Sequence, residues 1–177
     1  MSGEQITDSE KLARQMAVEL QARGEFAKAY SANAILALIY GAARDFAPKA
    51  VVGLKLDITP LNASLSGSIT LPDPDVTINI GSLVYTNDLN SKAARLKLAQ
   101  PAQITDVVRE KNLAKVGLYQ GAKLLILKTL DDPQQLLAMG AQKGLDEIGV
   151  KMRITGIAAR VQSNGAIGLK VTGEPKK

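Results

Sequence analysis

Two absences set the chemistry open to this chain: it contains no cysteine and no histidine. A thiolate nucleophile, a disulfide, a Cys-ligated metal and the commonest general base are therefore all missing, and most hydrolytic chemistry is closed. The carboxylates that remain stand as neighbours, Asp131 with Asp132 and Asp146 with Glu147. Adjacent side chains splay apart, so these pairs read as solvated groups and not as an acid–base couple or a metal site. Asp73 and Asp75 belong to Pro72-Asp-Pro-Asp75, a turn whose prolines preset the backbone, and no calcium-loop spacing surrounds them. Gly117, Gly121, Gly140 and Gly144 fall in helical context, without the strand–turn–helix placement of a phosphate loop, and read as helix-packing positions. Neither catalysis nor a cofactor is expected.

The net charge is +5, with basic residues recurring at Arg95, Lys97, Lys123, Lys128, Lys151, Arg153, Arg160, Lys170, Lys176 and Lys177. Aromatic residues make up 3% of the chain, too few to interleave as base-stacking platforms, so no nucleic-acid partner is expected. An anionic membrane surface fits the same charge, and so does a solvated polar sheet face. Hydrophobic residues are 46% and charged residues 22% of 177, ordinary for a globular protein and enough for a single-domain core. With no tryptophan, that core must be built from Leu, Ile, Val and Ala, which leaves open either an alanine-rich filling or a loosely filled, ligand-sized space. Residues 1–15 carry both charge signs and no apolar run, so no signal peptide is expected, and a cytoplasmic or peripheral-membrane location follows.

The elements that must position any site are dominated by Val51 to Leu98. Val52, Leu54, Leu56 and Ile58 alternate with polar or glycine positions, as do Leu61, Ala63, Leu65, Ile69 and Leu71, then Val76, Ile78 and Ile80, then Ala94, Leu96 and Leu98. A period of two puts one face dry and the other wet, predicting a four-strand meander over residues 50–100. Around it the pattern is helical. Thr7 and Glu10 form a capping-box pattern ahead of Leu12, Met16 and Leu20, and after Gly24 a second helix is predicted from about Glu25 to Phe46. Its uncharged stretch is roughly fifteen residues, short of the about twenty a membrane span needs, so it should lie buried on the dry sheet face. Thr105 and Asp106 are expected to cap a helix running from about Asp106 to Leu130, with Asn112 as a candidate break, and Asp132-Pro133 to open another reaching Ile148. From Val150 the alternation returns, slips at Gly156 as a bulge, and turns at Asn164-Gly165, a type I′ signal, before Ile167, Leu169 and Val171. Gly173 to Lys177 reads as a frayed tail.

The run Arg95-Leu-Lys-Leu-Ala-Gln-Pro-Ala-Gln103, the following Val107-Val-Arg-Glu-Lys-Asn-Leu113 segment and the Val150 to Val171 hairpin together resemble the bacterial LmeA-type branch of the TULIP lipid-binding superfamily. The likeness spans residues 51–175. It implies a curved antiparallel sheet wrapped around a long helix, with lipid tails held between them.

The expectation is thus an α+β single domain over residues 1–177. Residues 1–47 would be helical and 105–148 helices, with a hairpin at 149–173 completing a strongly curved antiparallel sheet of about six strands. Its expected function is non-catalytic binding of a lipid or another apolar ligand in a groove between sheet and helix. The groove residues would be Ile35, Leu38, Ile39, Leu54, Leu56, Leu65, Ile78, Ile80, Leu96, Leu98, Leu118, Leu125, Met152, Ile154 and Leu169. Arg95, Lys97, Lys151, Arg153 and Lys170 would face anionic headgroups. The alternative is an assembly protein that turns the same apolar surface into a homo-oligomer interface.

Overall fold

The computed structural model describes the backbone of residues 3–177 and the side chains of residues 10–177. The fold is α+β, with four helices and eight strands among the described residues. All strand pairs are antiparallel, and the strands form two sheets in place of the one strongly curved sheet of about six that the alternation suggests. Strands β1 (Glu25–Tyr30), β8 (Ile167–Pro175) and β7 (Met152–Val161) make the smaller sheet in that order. The larger follows the expected meander through β2 (Val51–Ile58), β3 (Asn62–Leu71), β4 (Val76–Asn87) and β5 (Leu96–Leu98), and β6 (Ile104–Val108) joins it along β4.

Two segments read as helix are strands. Helix α1 (Gly3–Arg23) ends at Gly24, whose φ of 72° only glycine adopts freely, and Gly24 donates its N–H to Leu20 O at 2.8 Å. The next six residues then pair with β8 from Glu25↔Thr172 to Tyr30↔Ile167, so helix α2 (Ala32–Phe46) starts seven residues later than predicted, capped by Ser31 Oγ accepting from Ala34 N at 3.4 Å. The helical propensity of Ala27 and Ala29 is overridden by an available sheet edge. Thr7 lies inside α1 and not at its start, and its side chain falls outside the described residues. The second segment is β6: its Ile, Thr and two valines are β-branched and favour the ladder along Val76–Ile80 over the helix expected there. Helix α3 (Leu113–Asp131) therefore begins at Asn112 and not at Thr105 or Asp106, with Asn112 Oδ1 accepting from Ala114 N at 3.0 Å and Lys115 N at 3.3 Å. Helix α4 (Pro133–Glu147) opens as expected at Asp132-Pro133.

The bulge in β7 lies where the phase slips, between Ile154 and Gly156. The following turn differs from the expected type I′, because Asn164 keeps a negative φ and only Gly165 is left-handed, at 77°. Gln162 N donating to Ala166 O at 2.9 Å closes a three-residue loop instead. Gly173 to Pro175, read as a tail, continues β8 opposite Met152–Ile154.

Three side-chain amides close strand edges that would otherwise stay open. Asn87 Nδ2 donates to Val161 O at 3.0 Å while its Oδ1 accepts from Val161 N at 2.8 Å, tying β4 of one sheet to β7 of the other. Gln142 of α4 does the same for Met152 O (2.9 Å) and Ile154 N (2.8 Å), and buried Gln134 for Leu96 N (2.7 Å) and Leu96 O (3.1 Å). Each amide stands in for a missing neighbour strand, satisfying backbone groups that would be costly to bury unpaired.

A continuous core joins both sheets to α1, α2 and α4, through residues such as Leu20, Ile35, Leu65, Leu137, Leu145 and Leu169. Helices α2 and α4 cross closely, because a Cβ on Gly140 would lie 1.8 Å from Leu38 O, so only glycine fits. A second cluster of Val76, Ile78 and Tyr119 holds α3 over the far end of the larger sheet.

Candidate functional site

The larger sheet floors an apolar cleft. From α2 come Ile39, Ala42, Ala43 and Phe46, and from the following loop Ala47 and Ala50. The sheet supplies Leu54, Leu65, Ile69, Leu71, Ile78 and Ile80, while Ile126, Thr129 and Leu130 of α3 and Leu136 and Met139 of α4 close the other wall. The strand side chains arrive by the period of two. The α3 residues arrive because 126, 129 and 130 share one helix face.

The cavity volume is about 100 Å³. That is on the order of the about 150 Å³ dry cavity known to take up benzene, enough for a slender hydrocarbon segment. A smaller void of about 30 Å³ adjoins it, sharing Ile39, Leu65 and Leu136 and bordered further by Ile35, Leu56, Leu96 and Tyr85. Phe46, 49% exposed, stands at the mouth.

The polar groups in and behind the walls already have partners. Thr129 Oγ1 donates to Leu125 O at 2.8 Å within its own helix, and Tyr85 O–H donates to Leu130 O at 3.1 Å. Burial, then the charge of Asp131, pushes the Tyr85 phenol well above its ordinary value, so it stays a neutral donor. Tyr40 O–H donates to Leu54 O at 3.4 Å and accepts from Leu54 N at 3.3 Å. No acid or base lines the cleft, so apart from the Thr129 side chain what enters it meets hydrocarbon.

Of the expected groove residues, the structure brings Ile39, Leu54, Leu65, Ile78 and Ile80 to the cleft, and Ile35, Leu56 and Leu96 to the adjoining void. Leu38 is buried, its backbone against Gly140 of α4, and Leu98 packs half-buried at the core margin. Met152, Ile154 and Leu169 belong to the smaller sheet. Leu118 and Leu125 point outward, 77% and 59% exposed. The end of α2 and the loop after it, Ile69 and Leu71 of β3, the inner face of α3, and Leu136 and Met139 of α4 are the parts the sequence reading lacks.

The five headgroup candidates are divided between the two sheets or the segments beside them. Arg95 pairs with Asp132 at 3.2 Å, Lys97 with Asp88 at 3.8 Å, and Arg153 with Glu174. The adjacent carboxylates diverge as expected, with Asp146 on Lys176 and Glu147 on Arg44. Comparison with known protein families, curated proteins and solved structures finds no match. Among the described residues no three acidic side chains gather as a metal site requires, and no helix is long and apolar enough to cross a membrane.

The wall contributed by α3 is fixed by a small polar cluster. Tyr119 O–H donates to Asp106 Oδ2 at 2.7 Å, and Lys123 Nζ lies 3.0 Å from the same oxygen. The Tyr119 hydrogen bond first, then Lys123, holds the Asp106 carboxyl below its ordinary 3.8. The stabilisation is therefore present above pH 3.8 and is lost as pH falls through the depressed value. Tyr119→Phe is expected to cost roughly 1–2 kcal/mol at neutral pH and to move Asp106 up towards its ordinary value. Denaturant titration and carboxyl NMR check both, and an unmoved Asp106 would contradict the assignment.

Proposed function

We propose that this protein binds a lipid chain or a similar slender apolar ligand in the α2–α3–sheet cleft, without catalysis. One observation carries the reading: every lining residue except Thr129 is apolar, and the Thr129 hydroxyl is already committed to its own helix. A pocket of this kind gains affinity from burial alone, about 0.8 kcal/mol per methylene. The resemblance to TULIP domains implies the same class of ligand, with lipid tails held between sheet and helix. A cleft this small takes part of a chain, leaving the remainder and any headgroup at the mouth beside Phe46.

The test is titration of purified protein with a fluorescent fatty acid, followed by displacement with the unlabelled acid. Saturable uptake with a stoichiometry near one per chain is expected. Absence of saturable binding, or uptake that scales with total exposed surface, would remove the proposal.

A further inference from the structure

The smaller sheet has two outer strands, β7 and β1, whose free edges differ. On β7 the Gln142 amide covers Met152 O and Ile154 N, the Asn87 amide covers Val161, and Ala159 N donates to Ala94 O at 3.2 Å. On β1 the pairing with β8 fixes which backbone groups stay open. Gly173 N donates to Gly24 O at 2.8 Å, and in an antiparallel ladder such bonded pairs recur at every second residue. Phe26, Lys28 and Tyr30 therefore bond Val171, Leu169 and Ile167, while the N–H and C=O groups of Glu25, Ala27 and Ala29 point away from β8. All three of these residues are exposed, and among the described residues no other backbone group meets them on that side.

An edge in this state is a template for another extended chain. Strand β1 lacks two common safeguards, a proline and a bulge in its register. Its lysine does not guard the edge either, since Lys28 Nζ lies 5.7 Å from the Tyr30 ring centroid, along its own strand.

Helix α1 turns the edge into a groove. Gln15, Glu19 and Arg23 recur at intervals of four with Val18 beside them, so one ridge of α1 runs along β1. With Phe26, Ala27, Lys28 and Tyr30 that ridge encloses about 510 Å³. Phe26 and Tyr30 lie on the core side of β1, opposite the buried Val171 and Ile167. A chain added to β1 would thus turn every second side chain towards Phe26 and towards Val18, which is 66% exposed, and the others to solvent.

We propose that β1 accepts an extended segment of another polypeptide as a fourth strand of the smaller sheet, with apolar side chains at alternate positions seated against Val18 and Phe26. The chemistry of the edge selects this occupant. Open N–H and C=O groups two residues apart are matched by a second extended backbone, which carries the complementary acceptors and donors at the same spacing. The groove shares no lining residue with the apolar cleft, so the peptide site stands or falls apart from what the cleft binds.

The probe is a set of peptides of roughly ten residues, alternating Thr or Lys with Val, Leu or Phe, titrated into the isotopically labelled full chain. In the free protein the Ala27 and Ala29 amides should exchange with solvent at least about tenfold faster than those of Phe26 and Lys28, and saturating peptide should slow them about tenfold or more. Ala27→Pro deletes an N–H that β8 does not use, a change that a sheet edge tolerates, and should abolish binding in a folded protein. If that variant does not fold, the exchange pattern of the wild type decides by itself. No saturable shift up to about 1 mM peptide would overturn the proposal. So would undiminished binding by folded Ala27→Pro, or Ala27 and Ala29 amides already protected in the free protein, as pairing of β1 between two copies would make them.

Discussion

Gly140→Val is expected to destabilise the protein by about 3 kcal/mol or more, the largest effect of any small substitution in the helices. The reason is the α2–α4 crossing. A Cβ at Gly140 would sit 1.8 Å from Leu38 O and 2.5 Å from Leu38 C, both backbone atoms, so no rotamer change relieves the overlap and the helices must separate. Separation would also open the core around Leu137 and Ala141, which are 3% and 1% exposed. Gly117→Ala is the control, because it lies in α3 with open space around it and should gain about 1 kcal/mol from helix propensity. Chemical denaturation of both variants at low protein concentration checks the contrast. Equal effects would mean that α2 and α4 do not cross at Gly140.

Ala43→Trp is expected to weaken apolar-ligand uptake at least about tenfold, or about 1.4 kcal/mol, with the unfolding midpoint little changed. Ala43 lines the cleft from the last turns of α2 and is only partly buried, so an indole there can fill the space without entering the packed core. Filling a cavity differs from charging one: no polar group is buried, and a loss of uptake reports occlusion and not unfolding. Retained affinity in a folded variant would place the ligand elsewhere.

What the sequence makes legible follows from which forces are local. The β2–β5 meander can be read because each strand alternates about a single buried face, and the bulge at Gly156 because the alternation itself changes phase there. Helix α4 is announced by Asp132-Pro133. Strands β1 and β6 are hidden for a different reason: Glu25–Tyr30 and Ile104–Val108 are short, and each takes strand form because an edge of β8 or β4 is there to receive it. The joint between the two sheets is equally non-local, since Asn87 of β4 reaches the backbone of Val161 in β7, 74 residues away.

The cleft is legible in part. Leu54, Leu65, Ile78 and Ile80 fall to the inner face by parity, and Ile39 by lying on a helix that has no polar side. Helix α3 defeats the same reasoning, because leucines occur all round it and periodicity then carries no phase. Leu118 and Leu125 consequently face out, while Ile126 and Leu130, one and five positions beyond Leu125, face in. The side of α3 that covers the sheet is marked by its long-range partners, Tyr119 and Lys123 on Asp106 and Lys115 on Asp73, together with the packing of Tyr119 on Val76 and Ile78.

Isothermal titration with a series of straight-chain fatty acids of increasing length tests the cleft most directly. Affinity should rise about fourfold for each added methylene, the ratio that corresponds to about 0.8 kcal/mol, and then level off once the enclosed space and its mouth are filled. In Ala43→Trp the levelling should come at a shorter chain. Affinity independent of chain length, or rising without limit identically in the wild type and the variant, would contradict a cleft that binds by enclosing hydrocarbon.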